Sequence, residues 1–109
     1  FEELLLRPLK MIHENSLLKK QLQNRFDFMM VDEFQDTNHT QMRLVDEVTA
    51  VHRNLAVVGD DDQSIYGWRG AQIRNILDFP KRYKSCRVIR LERNYRSTES
   101  ILKLANAII

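Results

Sequence analysis

Two clusters of acidic and amide side chains carry the chemistry of this sequence. The first is Asp32-Glu33, with Gln35 and Asp36 close behind; the second is Asp60-Asp61-Asp62-Gln63. An Asp offers a hard oxygen ligand of the kind Mg²⁺ takes, directly or through its water shell. A Glu beside it can polarise a water aimed at a phosphate. A Gln can hydrogen-bond a phosphate or an attacking water without adding charge. The Asp-Glu pair by itself is equally compatible with a solvated turn, so what positions it decides the reading.

Both clusters follow short apolar runs. Phe28-Met29-Met30-Val31 precedes the first and Leu55-Ala56-Val57-Val58 the second. Unbroken apolar runs of this length read as strands buried on both faces. The first strand is expected over 26–31, with Met29 and Met30 in the core. Asp32 and Asp60 lie one βαβ unit apart, so the two strand ends can face one crevice, where open α/β sheets bind ligands.

The other elements follow from periodicity and capping. Residues 1–24 read as helix, with Leu5, Leu9 and Ile12 on one face, then Leu18 and Leu22; Pro8 marks a start or kink. Asn15-Ser16 divides the segment, with Ser16 as cap. Asn38 and Gln41 have capping-box spacing before a helix whose stripe is Gln41, Leu44, Val45 and Val48. A short helix over 73–77 is expected to stop at Pro80. Val88-Ile89-Arg90-Leu91 reads as a third strand. Ser97 caps a last helix with Ile101, Leu104, Ala105 and Ile108 on one face. Alternating helices and strands predict an α/β fold with a parallel sheet of about three strands between helical layers.

The chain has 109 residues, 43% hydrophobic and 29% charged, which suits one small globular domain. No apolar run approaches membrane-spanning length. Cys86 is the single cysteine, so no internal disulfide and no cysteine-based zinc site is expected; a cytoplasmic setting fits. Charge is uneven. From Arg69 to Lys103, ten basic side chains stand against Asp78, Glu92 and Glu99, although the net charge of the chain is only +2. A basic C-terminal part suits a polyanion such as nucleic acid or nucleotide. His13, His39 and His52 lack metal-ligand spacing.

Three longer stretches carry a family resemblance. Val31-Asp32-Glu33-Phe34-Gln35-Asp36-Thr37-Asn38 resembles motif II (Walker B) of the UvrD/Rep/PcrA group of superfamily-one DNA helicases. The stretch from Val58 through Gly59-Asp60-Asp61-Asp62-Gln63-Ser64-Ile65-Tyr66-Gly67-Trp68-Arg69-Gly70 to Ala71 is similar to their motif III. Leu91-Glu92-Arg93-Asn94-Tyr95-Arg96-Ser97 is similar to their motif IV.

The resemblance implies a partial RecA-like motor domain of the P-loop NTPase class over 1–109, with 1–24 a helical lead-in and 25–109 carrying motifs II to IV. It implies an ATP-dependent helicase that translocates on single-stranded DNA and unwinds duplex DNA, 3′ to 5′, in the cytoplasm and associated with the nucleoid. Asp32 would hold the Mg²⁺ of Mg-ATP, and Glu33 would activate the hydrolytic water. Gln63 would sense the γ-phosphate, and Gln35 would belong to the coupling network. Tyr66 and Trp68 would meet single-stranded DNA, with Arg69 linking the DNA and nucleotide sites. Tyr95 would stack on adenine, and Arg96 would reach the γ-phosphate as an arginine finger.

One departure stands out. None of the three glycines is followed by Lys, so the Gly-x-x-x-x-Gly-Lys-Ser/Thr phosphate loop is absent from these 109 residues. Both ends fall inside helical patterns. The expectation is a fragment that lacks the P-loop strand, needs the remaining helicase domains of its parent, and is inactive alone. Two other functions stay open on the residues: a non-catalytic nucleic-acid-binding module, and a Mg²⁺-dependent nuclease using Asp32, Glu33 and Asp60.

Overall fold

The apolar runs after Asp27 and Asn54 form two short parallel strands, β1 (Met29–Val31) and β2 (Leu55–Val57). The computed structural model describes residues 2–108. Phe1, first in the expected lead-in helix, and Ile109, last in the expected domain, lie outside the described residues. Met29 pairs with Leu55, Met30 with Ala56 and Val31 with Val57. The start of the pair is fixed by Met29 N–H donating to Asn54 O (2.9 Å) and Asn54 Nδ2 donating to Asp27 O (2.9 Å). Beyond the strands the ladder continues, with Val58 N–H donating to Val31 O (2.8 Å) and Phe34 N–H to Val58 O (2.9 Å).

The chain divides into two units, 1–79 and 80–109. In the first, α1 (Glu2–Glu14), α2 (Ser16–Arg25) and α3 (His39–Thr49) pack against one another. Leu9 and Ile12 are buried as their spacing predicts, together with Phe34, Met42, Val48 and Phe79. Phe34 and Phe79 meet edge to face, ring centroids 5.5 Å apart. The α3 capping box forms as expected: Gln41 N–H donates to Asn38 Oδ1 and Asn38 N–H to Gln41 Oε1, both at 2.8 Å. Two reciprocal bonds satisfy two otherwise orphaned donors. α4 (Arg74–Leu77) packs on the 3-10 turn Phe34–Asp36.

Several sequence expectations need correction. α1 runs through Pro8 without a break. The carbonyl that Pro8 leaves unpaired belongs to Leu4, which is exposed, so water can satisfy it. Asn15, not Ser16, caps α2; its Oδ1 reaches both Leu17 N–H (3.1 Å) and Leu18 N–H (3.0 Å). The most buried side chain of α3 is Met42, which turns the inward stripe away from Gln41. β1 is shorter than 26–31 and is not buried on both faces. Phe28 and Met30, two residues apart and so on one side of the strand, are exposed.

In the second unit, α5 (Phe79–Arg82) begins in the first unit's last residue and contains Pro80. Proline here opens a helix rather than closing one, because a first-turn residue has no use for its N–H. The third strand does not form: residues 88–91 carry no regular secondary structure, and Val88, Ile89 and Leu91 are exposed. Among the described residues the sheet has two strands. An apolar run becomes a strand only where a neighbouring edge accepts its hydrogen bonds, and none among the described residues does so. α6 (Glu99–Asn106) forms where expected, but Thr98 rather than Ser97 precedes it, and Ile101, Leu104 and Ile108 are exposed.

Candidate functional site

The site grows from the turn that follows β1. Asp32 is exposed, and its Oδ1 accepts a hydrogen bond from Glu33 N–H (2.9 Å). Glu33 adopts the left-handed conformation, φ 49° and ψ 44°. A side chain other than glycine reaches that region at a cost, and such positions cluster at functional sites. The turn is held on every side. Asp36 N–H donates to Glu33 O (3.0 Å), Thr37 Oγ1 donates to Phe34 O (2.6 Å), and Gln35 Nε2 donates to Glu33 Oε2 (2.7 Å).

Gln35 also reaches the second acidic cluster. It is 1% exposed, and its Oε1 accepts from Asp60 N–H (3.1 Å). Asp60 in turn caps the 3-10 turn Asp61–Gln63: Oδ1 accepts from Asp62 N–H (3.1 Å) and Oδ2 from Gln63 Nε2 (2.8 Å). A continuous series of hydrogen bonds therefore runs Glu33, Gln35, Asp60, Gln63. The two strand ends lie side by side, and the first cluster meets the second through the Gln35 amide.

A further set of bonds ties the same turn to Gln72, just before α4, and to Asn75 within it. Gln72 N–H donates to Thr37 O (2.9 Å), and Asn75 Nδ2 bonds both Thr37 O (3.0 Å) and Thr37 Oγ1 (3.1 Å). Asn38 and Ala71 form an isolated antiparallel bridge. Nothing in the residue pattern marks Asn75 as a site-building residue, since a lone Asn in a short helix names no partner.

Tyr66, Trp68 and Arg69 form a separate cluster on the 3-10 turn Gly67–Arg69. The two rings lie 6.5 Å apart, and the Arg69 guanidinium sits 4.5 Å from the Trp68 centroid and 5.2 Å from that of Tyr66. Gly70 ends the turn at φ 86°, in the region that glycine tolerates best. Trp68 remains 74% exposed, so it is not a core residue.

Tyr95 and Arg96 belong to the second unit. Asn94 Oδ1 accepts from Arg96 N–H and Ser97 N–H (2.9 Å each), an Asx-type turn. Arg93 lies 5.0 Å from the Tyr95 ring, which is 83% exposed.

For a metal, Asp32 provides one carboxylate with its second oxygen open. Mg²⁺ bound to a nucleotide commonly takes one or two protein carboxylates and fills its shell with water and phosphate oxygens, so a single exposed Asp fits that role. Among the described residues, no three His, Cys, Asp or Glu side chains converge to hold a metal on protein ligands alone. Asp32, Glu33 and Asp60 are therefore not assembled as the trio a nuclease reading needs. No described helix is long and apolar enough to cross a membrane.

Comparison with known proteins bears on the same stretches. Residues 1–84 match the model of the UvrD/REP helicase N-terminal domain. Over 109 residues the chain is 47% identical to the ATP-dependent DNA helicase PcrA of Staphylococcus aureus strain Mu50, 45% to that of Leuconostoc citreum and 49% to DNA helicase II of Haemophilus influenzae. Each match covers 100% of this chain and 15% of the relative. The chain thus spans about 15% of the length of the curated relatives it matches. With the family model covering residues 1–84 and both acidic clusters inside that span, the chain belongs to the UvrD/REP helicase family.

Proposed function

We propose that this chain is part of the first RecA-like motor domain of an ATP-dependent DNA helicase that translocates on single-stranded DNA and unwinds duplexes, 3′ to 5′. The observation that carries the proposal is the hydrogen-bonded series from Glu33 to Gln63, which joins a candidate general base to a candidate phosphate sensor across two strand ends. Family membership and relatives named as DNA helicases support it.

In this reading Asp32 would hold Mg²⁺, which would supply positive charge against the phosphates. Glu33 accepts a proton from the water that attacks the γ-phosphorus while the bond to the bridging oxygen breaks and ADP leaves. Gln63 hydrogen-bonds the γ-phosphate, and Arg96 neutralises charge on the transferring group. Tyr95 stacks on adenine. Tyr66 and Trp68 stack on unpaired bases, a sequence-tolerant grip because every base has a π-face, and Arg69 links that grip to the nucleotide side.

The test is made in the full-length protein. Glu33→Gln keeps the shape but cannot take a proton, so DNA-stimulated ATP hydrolysis should fall roughly 10²–10⁴-fold while Mg-ATP still binds. A turnover number near that of the unaltered protein would remove Glu33 from the mechanism. Residues 1–109 by themselves should neither hydrolyse ATP nor bind it tightly, since they hold no Gly-x-x-x-x-Gly-Lys cradle. Calorimetry with Mg-ATP should give a millimolar dissociation constant, about −4 kcal/mol. Micromolar binding would mean that another phosphate cradle exists within them.

A further inference from the structure

We propose that Gln35 is a positioning residue: its buried amide fixes the Glu33 carboxylate and ties it to the Asp60–Gln63 turn, so that base and phosphate sensor are held in one register. The proposal rests on the reading of Glu33 as general base and deepens it.

The two ends of the Gln35 amide have different targets. Nε2 donates to Glu33 Oε2 at 2.7 Å, and Oε1 accepts from Asp60 N–H at 3.1 Å. Glu33 is exposed, so water alone could satisfy its carboxylate. The bond is therefore not needed to satisfy Glu33; what it adds is a fixed direction. A carboxylate on a free side chain samples several rotamers, and one held by a side chain that is itself 1% exposed samples few. The left-handed backbone of Glu33, φ 49°, aims that side chain toward the buried amide from a conformation most residues avoid.

Gly59 makes the contact possible. A Cβ at that position would lie 2.5 Å from Gln35 Oε1, 2.9 Å from Ile76 Cδ1 and 3.1 Å from Phe34 N. Gly59 has no positive φ to explain it, so the requirement here is space. Its missing side chain lets the amide reach Asp60 N–H beside the second strand end. Asp60 then passes the constraint on through its bond to Gln63 Nε2 (2.8 Å).

The full-length protein provides the test, as steady-state ATP hydrolysis with saturating single-stranded DNA. Gln35→Met keeps the volume and removes both bonds. Gln35→Glu keeps the volume and the acceptor for Asp60 N–H and sets a second carboxyl against Glu33 in place of the amide donor, so it carries the test if Gln35→Met does not fold. Each is made alone and together with Glu33→Gln. The expected result is a fall in kcat of about 10–10²-fold with the KM for ATP nearly unchanged, the mark of a misplaced reacting group. In the Glu33→Gln background neither substitution should lower kcat further, because the group being positioned has lost its function. A merely structural Gln35 would lower both backgrounds alike, and that outcome overturns the proposal. So does a kcat close to that of the unaltered protein in the folded variants, or a rise in the DNA-free rate, which would make the bond a restraint. These results leave the helicase reading standing. An unaltered protein without DNA-stimulated hydrolysis takes down that reading and, with it, the role of Gln35.

Discussion

The two units of the chain prepare their site residues in opposite ways. In residues 1–79, Glu33, Gln35, Asp60 and Gln63 are joined by hydrogen bonds above a core that includes Phe34, Met42 and Phe79. In residues 80–108 the described residues include no buried hydrophobic side chain, and Tyr95 is 83% exposed. Its contacts around the site residues are local, as in the Asn94 turn and the exposed α6 ion pair, Lys103 to Glu99 at 2.8 Å. Burial can hold a side chain in one direction; a turn sets the backbone but leaves the side chain free. The first unit therefore presents groups whose geometry is set beforehand, while the second presents groups that a ligand must order and bear the entropy of doing so.

The difference between the units should be largest in stability. Phe34 is fully buried and meets Phe79 edge to face, so Phe34→Ala should destabilise the chain by about 3–5 kcal/mol. Ile101, 57% exposed on α6, should cost within about 0.5 kcal/mol when changed to Ala. Urea unfolding of the two variants measures both. A large loss from Ile101→Ala would mean that the second unit buries an apolar face, and the contrast would fail.

The same contrast explains what could be read from the sequence. The Asn38–Gln41 capping box was legible because donor and acceptor lie within four residues. The β1–β2 pair was legible from two apolar runs separated by one helix. Family motifs named Asp32, Glu33 and Gln63 without any geometry. Other features depend on distant partners. Met30 was expected inside and lies exposed, because alternation along a strand says which residues share a side and not whether that side is covered. Val88 to Leu91 has the composition of a strand and, among the described residues, no partner edge. Gln35 could be placed in a coupling network by resemblance, but its two bonds, and the room that Gly59 leaves for them, exist only once two strand ends are side by side.

The exposed aromatic groups of the two units should also differ in the ligand they serve. Trp68→Ala in the full-length protein should weaken single-strand DNA binding by about 1–3 kcal/mol, equally for homopolymer and mixed sequence, with little change in DNA-free hydrolysis. Tyr95→Ala should instead raise the KM for ATP and leave DNA affinity alone. Fluorescence titration with labelled oligonucleotides and steady-state kinetics separate the two. Unchanged DNA affinity in Trp68→Ala would detach the Tyr66–Trp68–Arg69 cluster from DNA.

The smallest effect concerns the charge contact that ties the helices of the first unit. Lys19 Nζ on α2 lies 2.6 Å from Glu47 Oε2 on α3, and His13 Nδ1 on α1 lies 3.8 Å from Glu47 Oε1. The hydrogen bond from Lys19 holds the Glu47 carboxyl below its ordinary value of 4.5; partial burial opposes this, and the charges of Lys19, His13 and Arg43 add to the lowering. A carboxyl whose pKa is depressed by folding binds fewer protons in the folded than in the unfolded state. Its contribution is therefore fully present above 4.5 and is lost as pH falls through the lower folded value. For a partly solvated pair the amount is about 0.5–1 kcal/mol. Lys19→Met should thus be less stable than the unaltered chain by that amount at neutral pH, and the gap should close on acidification below 4.5. Urea midpoints of both proteins between neutral and acid pH measure it. A gap that stays constant down to strongly acid pH would assign the loss to the packing of the Lys19 stem instead of its charge, leaving apolar contact and the bond from Gln23 Nε2 to Glu47 O (2.7 Å) to hold α2 on α3.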